Sequence, residues 1–155
     1  MSDLVIRHCG RADLRELEWS RQIRADRRLI ETVFQATHER GIAMLVARIE
    51  RTLVGQIWID FDRKPDIALL WALRVRPGWR GHGIGSQLII AGEREARRKG
   101  ACATELAVEP HNQRARALYR RLGYRTVGYE IATQALSGAP LGFELELMRR
   151  WVARR

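Results

Sequence analysis

The sequence has little cysteine, almost no lysine and no long apolar run. Its 2 cysteines, Cys9 and Cys102, lie far apart, which argues against a disulfide framework and for a reducing cytoplasm. No apolar stretch approaches the ~20 residues needed to cross a bilayer, so no membrane is expected as a partner. Met1-Ser2-Asp3 lacks the basic-then-apolar pattern of a secretion signal. Internal repeats, linkers and low-complexity tracts are also missing. The 155 residues are therefore read as one domain, 1–155, with enough chain to enclose a full core.

Acidic residues are the minority charge, 18 against 28 basic ones, for a net charge of +10. Only Lys64 and Lys99 are lysines; the other basic residues are arginines. This balance favours an anionic partner, whether nucleic acid, an acidic surface or a polyphosphate. The arginines are spread along the chain rather than blocked, and no basic stripe is interleaved with aromatics. Nucleic acid is accordingly not an expected partner.

The periodicity that is present gives a mixed α/β domain. Leu4 to Arg7 is strand-like, and Arg11 to Arg40 is polar and helical, ending at Gly41. Ala43 to Ile49 and Leu53 to Phe61 alternate as two strands joined by a tight turn at Glu50-Arg51-Thr52. Arg63 to Asp66 is a turn. Ile67, Leu69, Trp71, Leu73 and Val75 alternate as one face of a third strand. A helix follows from Ile84 to Lys99, then a strand around Cys102 to Val108, and a helix from about Ala115 to Leu122. Tyr124 to Ile131 and Phe143 to Trp151 read as the last two strands, with Ser137-Gly138-Ala139-Pro140 in the loop between them. The sheet is expected to be antiparallel early, with a β-helix-β crossover later.

Arg80-Gly81-His82-Gly83-Ile84-Gly85 sits between a strand and a helix start. Glycines let a ligand approach the backbone, and the first amides of a helix have no internal partner and lie at its positive end. That order makes an anion site without needing a charged side chain. The stretch fails the dinucleotide fingerprint G-x-G-x-x-G, because it reads G-H-G-I-G-S from Gly81 and G-I-G-S-Q-L from Gly83. It also lacks the Gly-Lys-Ser/Thr ending of a P-loop.

A different pattern fits. Val75-Arg76-Pro77 precedes the loop, and Asn112, Ala115, Leu118-Tyr119 and Leu122-Gly123-Tyr124 follow in order. Together these resemble the two signatures of the GNAT superfamily of acyl-coenzyme A-dependent N-acyltransferases. The resemblance runs through the whole order of elements. It implies a central, mostly antiparallel mixed sheet of about seven strands, splayed in the middle and flanked by about four helices. It also implies acetyl-CoA as acyl donor, no metal, and a small-molecule or peptide amine as acceptor. Homodimers are common in such proteins.

Through the same resemblance, the amides of Arg80, Gly81, His82, Gly83, Ile84, Gly85 and Ser86 would hold the pyrophosphate, with added charge from Arg76 and Arg80. Backbone groups of Leu73, Arg74 and Val75 would pair with the pantetheine arm like an added strand. An amide near Leu73 would polarise the thioester carbonyl. Asn112 would hold the arm from the other side, or cap the helix that follows it. Tyr119 would give a proton to the leaving sulfur, since a phenol titrating near ~10 is protonated at neutral pH; its plain reading is a core tyrosine.

The general base is left open. Many peptide-acetylating relatives carry Glu five residues before the Asn, where this chain has Ala107. Glu105 and Glu109 share that face, and water is the third option. His82, His111, Asp60 and Asp62 are weaker candidates. Trp71 is read as core. The acceptor pocket is expected between Glu18 to Arg40 and Ala132 to Gly142. A non-catalytic acyl-CoA-binding module is the alternative function.

Overall fold

Strands β1 (Leu4–His8), β2 (Ile42–Ile49), β3 (Thr52–Lys64), β4 (Ile67–Val75), β5 (Ala103–Val108), β6 (Arg125–Ile131) and β7 (Glu144–Trp151) form one sheet in the order β1-β2-β3-β4-β5-β7-β6. They are accompanied by α1 (Ala25–Glu39), α2 (Ile84–Arg98) and α3 (Gln113–Arg121). The computed structural model describes residues 3–20, 25–39, 41–132 and 142–153. Neighbouring strands are antiparallel except β4 and β5. Those two are parallel because α2 carries the chain back across the sheet between them. About four helices were expected; three α-helices are found among the described residues.

The stretch read as helical from Arg11 begins instead as two 3-10 turns, Arg11–Asp13 and Glu16–Ser20. Asp13 explains the interruption. It is buried, and it accepts from Arg7 at 2.7 and 2.9 Å, from Arg48 at 2.9 Å and from the Gly10 amide at 2.7 Å. These bonds tie the segment to β1 and β2 before a helix can continue. The turn expected over Arg63 to Asp66 is also shorter, since β3 keeps pairing as far as Lys64 opposite Ile67.

Two apolar layers sandwich β3. Ile84, Leu88, Ile89 and Ala96 of α2 pack on Leu45, Val54, Ile57, Ile59 and Leu70. On the opposite face, Leu17 with Ile30, Val33 and Phe34 of α1 covers Met44, Val46, Leu53 and Trp58. Each fully buried aliphatic side chain contributes about 1.5–3 kcal/mol. Covering both faces accounts for the unbroken burial from Leu53 to Ile59. Gly55 permits the close approach of α2: a Cβ there would stand 2.8 Å from Leu88 Cδ1 and 3.1 Å from the Arg74 carbonyl. This packing fixes where α2 begins, and so where the glycine loop sits.

Candidate functional site: a glycine loop and a split sheet

The loop leaves β4, turns at Pro77–Gly83 and enters α2. Gly81 (φ 81°) and Gly83 (φ 76°) adopt left-handed backbone, which glycine takes without steric cost. A Cβ at either position would meet nothing within 4 Å, so both face open space. Gly83 occupies the N-cap position with no side-chain cap. Among the described residues, no hydrogen bond is made by any amide from Arg80 to Ser86; the first helical bond near them is Gln87 N–H to Gly83 C=O at 3.1 Å. Unpaired donors at the head of a 15-residue helix form a cradle suited to phosphate oxygens. His82 lies exposed in this loop.

The second element is the gap between β4 and β5. Their pairing runs only from Ile67–Ala103 to Leu69–Glu105, after which the strands part. The edge of β4 beyond Leu69 is therefore unpaired toward β5 among the described residues. Two carbonyls on that stretch are met by side chains: Arg74 Nη1 donates to Leu73 O at 3.1 Å and Arg80 Nε to Val75 O at 3.2 Å. A cleft of about 260 Å3 opens in the gap, lined by β4 from Leu69 to Arg74, by Glu105 to Ala107, by Tyr119, and by Glu130 to Ala132.

A bulge shapes the β4 wall. Trp58 pairs with Trp71 while Gln56 pairs with Arg74, so β4 has one residue too many. Ala72 takes up the excess at φ 53°, a costly conformation for a residue with a Cβ. The bulge corrects the alternation read from the sequence. Trp71 joins the α1-side core, whereas Leu73 and Val75 pack with the α2-side core. Trp71 and Leu73 do not share a face. Trp71 packs edge-on to Trp58, with ring centroids 4.8 Å apart, and also lines the cleft.

Tyr119 reaches the cleft from α3. Burial pushes its phenol above the ordinary tyrosine value, and the nearby charge of Arg74 pulls in the opposite direction. Among the described residues its hydroxyl has no hydrogen-bond partner. A protonated, unengaged phenol in a cleft can serve as a proton donor. Behind it stands Tyr124, 6.3 Å away ring to ring. The Tyr124 hydroxyl is fixed by Thr104 at 2.7 Å and Glu93 at 3.1 Å, and Arg150 grips Glu93 at 2.7 and 2.8 Å. Asn112 caps α3, its Oδ1 accepting from Ala115 N–H at 3.2 Å. Its side-chain amide donors remain open to the surface.

Of the carboxylates named as bases, Glu105 is not the surface group its strand position suggests. It is 1% exposed and held by Lys64 and by Arg149 at 2.8 and 3.0 Å. Sequence reasoning missed this trio, because its members come from β3, β5 and β7. Glu109 pairs with exposed His111 at 2.9 Å. Asp60 lines the cleft and accepts the Asp62 amide at 3.0 Å; Ala107 is exposed on the cleft wall. Part of the expected acceptor pocket, residues 21–24, 40 and 133–141, lies outside the described residues.

The site thus combines a glycine cradle at a helix head with a sheet split at a bulged strand. The profile of the Acetyltransferase (GNAT) family matches residues 11–124, and the chain belongs to that family. It is 37% identical over 92 residues to a mycothiol acetyltransferase from Propionibacterium freudenreichii, covering 57% of this chain and 29% of that protein. The chain thus spans under a third of that relative's length. A putative acetyltransferase from Salmonella typhimurium, solved with its cofactor acetyl-CoA, superposes with a TM-score of 0.75 at 20% identity, covering 98% of this chain and 95% of its own. The ribosomal-protein-S18-alanine N-acetyltransferase of Escherichia coli gives a TM-score of 0.77 at 16% identity, covering 99% and 96%. These two likenesses concern the fold.

Proposed function

We propose that this chain transfers an acetyl group from acetyl-CoA to a primary amine, on a small molecule or a peptide, by direct attack in a ternary complex. The observation that carries this reading is the convergence of three features. The unpaired edge of β4 and the phenol of Tyr119 line one cleft, and the free amides of the loop follow β4 directly in the chain. Arg80 to Ser86 would hold the pyrophosphate, and Leu73, Arg74 and Val75 would pair with the pantetheine arm as a strand would. Asn112, while capping α3, would offer its amide donors to the same arm.

The donor supplies an activated carbonyl. The protein's part is to hold it beside the amine and to manage charge. The Leu73 amide would polarise the carbonyl oxygen. As the amine attacks, the carbon–sulfur bond breaks and Tyr119 gives its proton to the sulfur. The amine's own proton leaves through the open cleft to water, since Glu105 is already bound by two cations. An amine near pKa ~10.4 is about one part in a thousand neutral at pH 7, so turnover should rise with pH through the neutral range.

The test is calorimetry with acetyl-CoA followed by thiol release across a panel of amines. Binding with transfer to some amine supports the reading. Absence of acetyl-CoA binding overturns it. Binding without transfer to any amine favours the non-catalytic acyl-CoA module, a reading that Ala107, standing where many relatives have Glu, keeps open.

A further inference from the structure

We propose that Arg74 is a second catalytic group, whose guanidinium stabilises the negative charge that develops on sulfur as the carbon–sulfur bond breaks. This rests on the acetyl-transfer reading above and adds a side-chain role to a residue whose backbone alone was assigned one.

Arg63, Lys64 and Arg74 are the cations lining the cleft among the described residues, and their partners set Arg74 apart, since Arg63 is engaged by another group. Lys64 and Arg149 both sit on Glu105. Arg76 and Arg80 flank Arg74 at nearby positions but turn elsewhere. Arg76 Nη1 reaches Leu53 O at 3.4 Å, and its guanidinium lies 6.0 Å from the Trp19 ring centroid. Arg80 is exposed and bonded to Val75 O. Arg74 lines the cleft, is partly buried, and among the described residues has no carboxylate partner. Among the described residues its one hydrogen bond runs to the Leu73 carbonyl at 3.1 Å. A half-buried guanidinium without a counterion is costly unless an anion arrives.

Geometry points to which anion. The extra residue at Ala72 resets the phase of β4, bringing Arg74 onto the strand opposite Gln56 and onto the wall of the same cleft that Tyr119 lines from α3. Its charge is felt at the phenol, where it opposes the upward push of burial. A pantetheine amide that takes the Leu73 carbonyl would release the guanidinium from that bond. In the transfer step, the amine nitrogen bonds to the carbonyl carbon and the carbon–sulfur pair of electrons goes to sulfur. Tyr119 supplies the proton to sulfur, and the amine's proton passes to water. Arg74 stabilises the charge on sulfur before protonation and on the phenolate afterwards.

The experiment compares Arg74→Gln and Arg74→Lys with the parent chain, each first checked by circular dichroism and by calorimetry with acetyl-CoA. Arg74→Gln keeps the polar stem and removes the charge; Arg74→Lys keeps the charge. Kinetics are run with one amine that carries a carboxylate and one that does not. The expected result is a fall in kcat of about ten- to a hundredfold for Arg74→Gln with both amines, KM for acetyl-CoA changing little, and partial recovery in Arg74→Lys. Three outcomes overturn the proposal: an unchanged kcat, equal losses in both variants, or a loss confined to KM or to the carboxylate-bearing amine. If the parent chain itself fails to turn over, the acetyl-transfer reading falls and this inference with it. If the parent turns over and Arg74→Gln matches it, only this inference falls.

Discussion

The glycine loop and the split between β4 and β5 are adjacent, yet they are built by opposite means. The loop uses main-chain amides contributed by consecutive residues, Arg80 to Ser86. The cleft uses side chains brought from six elements: Trp71 and Arg74 from β4, Lys64 from β3, Glu105 from β5, Tyr119 from α3, Glu130 from β6 and Leu145 and Leu147 from β7. A backbone site recognises a feature shared by every donor of the class, its phosphates, and tolerates variation in side chains. A side-chain site can be rebuilt one residue at a time. Under the proposed function, donor recognition would fall to the part that cannot easily drift and acceptor choice to the part that can.

The largest effect should come from breaking the loop. Gly83→Asp places a carboxylate where the proposed function seats a phosphate and forces a Cβ onto backbone at φ 76°. Acetyl-CoA affinity should drop by about a hundredfold or more, equivalent to ~3 kcal/mol. A Kd within threefold of the parent, read by calorimetry, would sink the loop assignment. Tyr119→Phe attacks the cleft while sparing the loop. Its kcat should fall about a hundredfold with acetyl-CoA affinity retained. Unchanged turnover would remove the phenol from the mechanism.

Glu105→Ala tests whether the cleft's polar trio is structural. Lys64 and Arg149 would lose their shared partner, and the protein should lose about 2 kcal/mol, a fall of several degrees in Tm. A thermal melt identical to the parent would argue that the trio contributes nothing to stability. The smallest effect expected is on acid stability. The Thr126 hydroxyl, and beyond it Arg116, hold the Glu146 carboxyl below its ordinary range. Burial pushes Asp13 up, but bonds from Arg7 and Gly10 outweigh it and leave it lowered. Carboxyls depressed by folding add stability that is present above the unfolded carboxylate range, near pH ~4, and lost as pH falls through the folded values. Melts from pH 7 down to 3 should show Tm falling below about pH 4.5, with a shallower decline in Glu146→Gln. A flat profile in the parent would contradict this.

The order of strands and helices was legible because each element buries one periodic stripe, and the loop because its chemistry is local. Val75-Arg76-Pro77, the glycines and Leu118-Tyr119 with Leu122-Gly123-Tyr124 were enough to point to the family. The phase change in β4 was not legible. Ile67, Leu69, Trp71, Leu73 and Val75 alternate without interruption, and nothing about Ala72 announces a left-handed residue. The strain there is sustained by the pairing of Trp58 with Trp71 on one side and Gln56 with Arg74 on the other. The break in the N-terminal helix was hidden for the same reason, since it depends on Arg48, 35 residues beyond Asp13.

By itself the sequence determined the family and the glycine loop, because such a loop needs only glycines that admit positive φ and a helix that starts behind them. Tertiary structure decided what lines the cleft. It buried Glu105 between Lys64 and Arg149, left Arg74 without a counterion among the described residues, and set both on the wall of the cleft that Tyr119 lines. Those relations depend on strand register and on where β4 and β5 part, which are properties of packing between distant segments rather than of any run of residues.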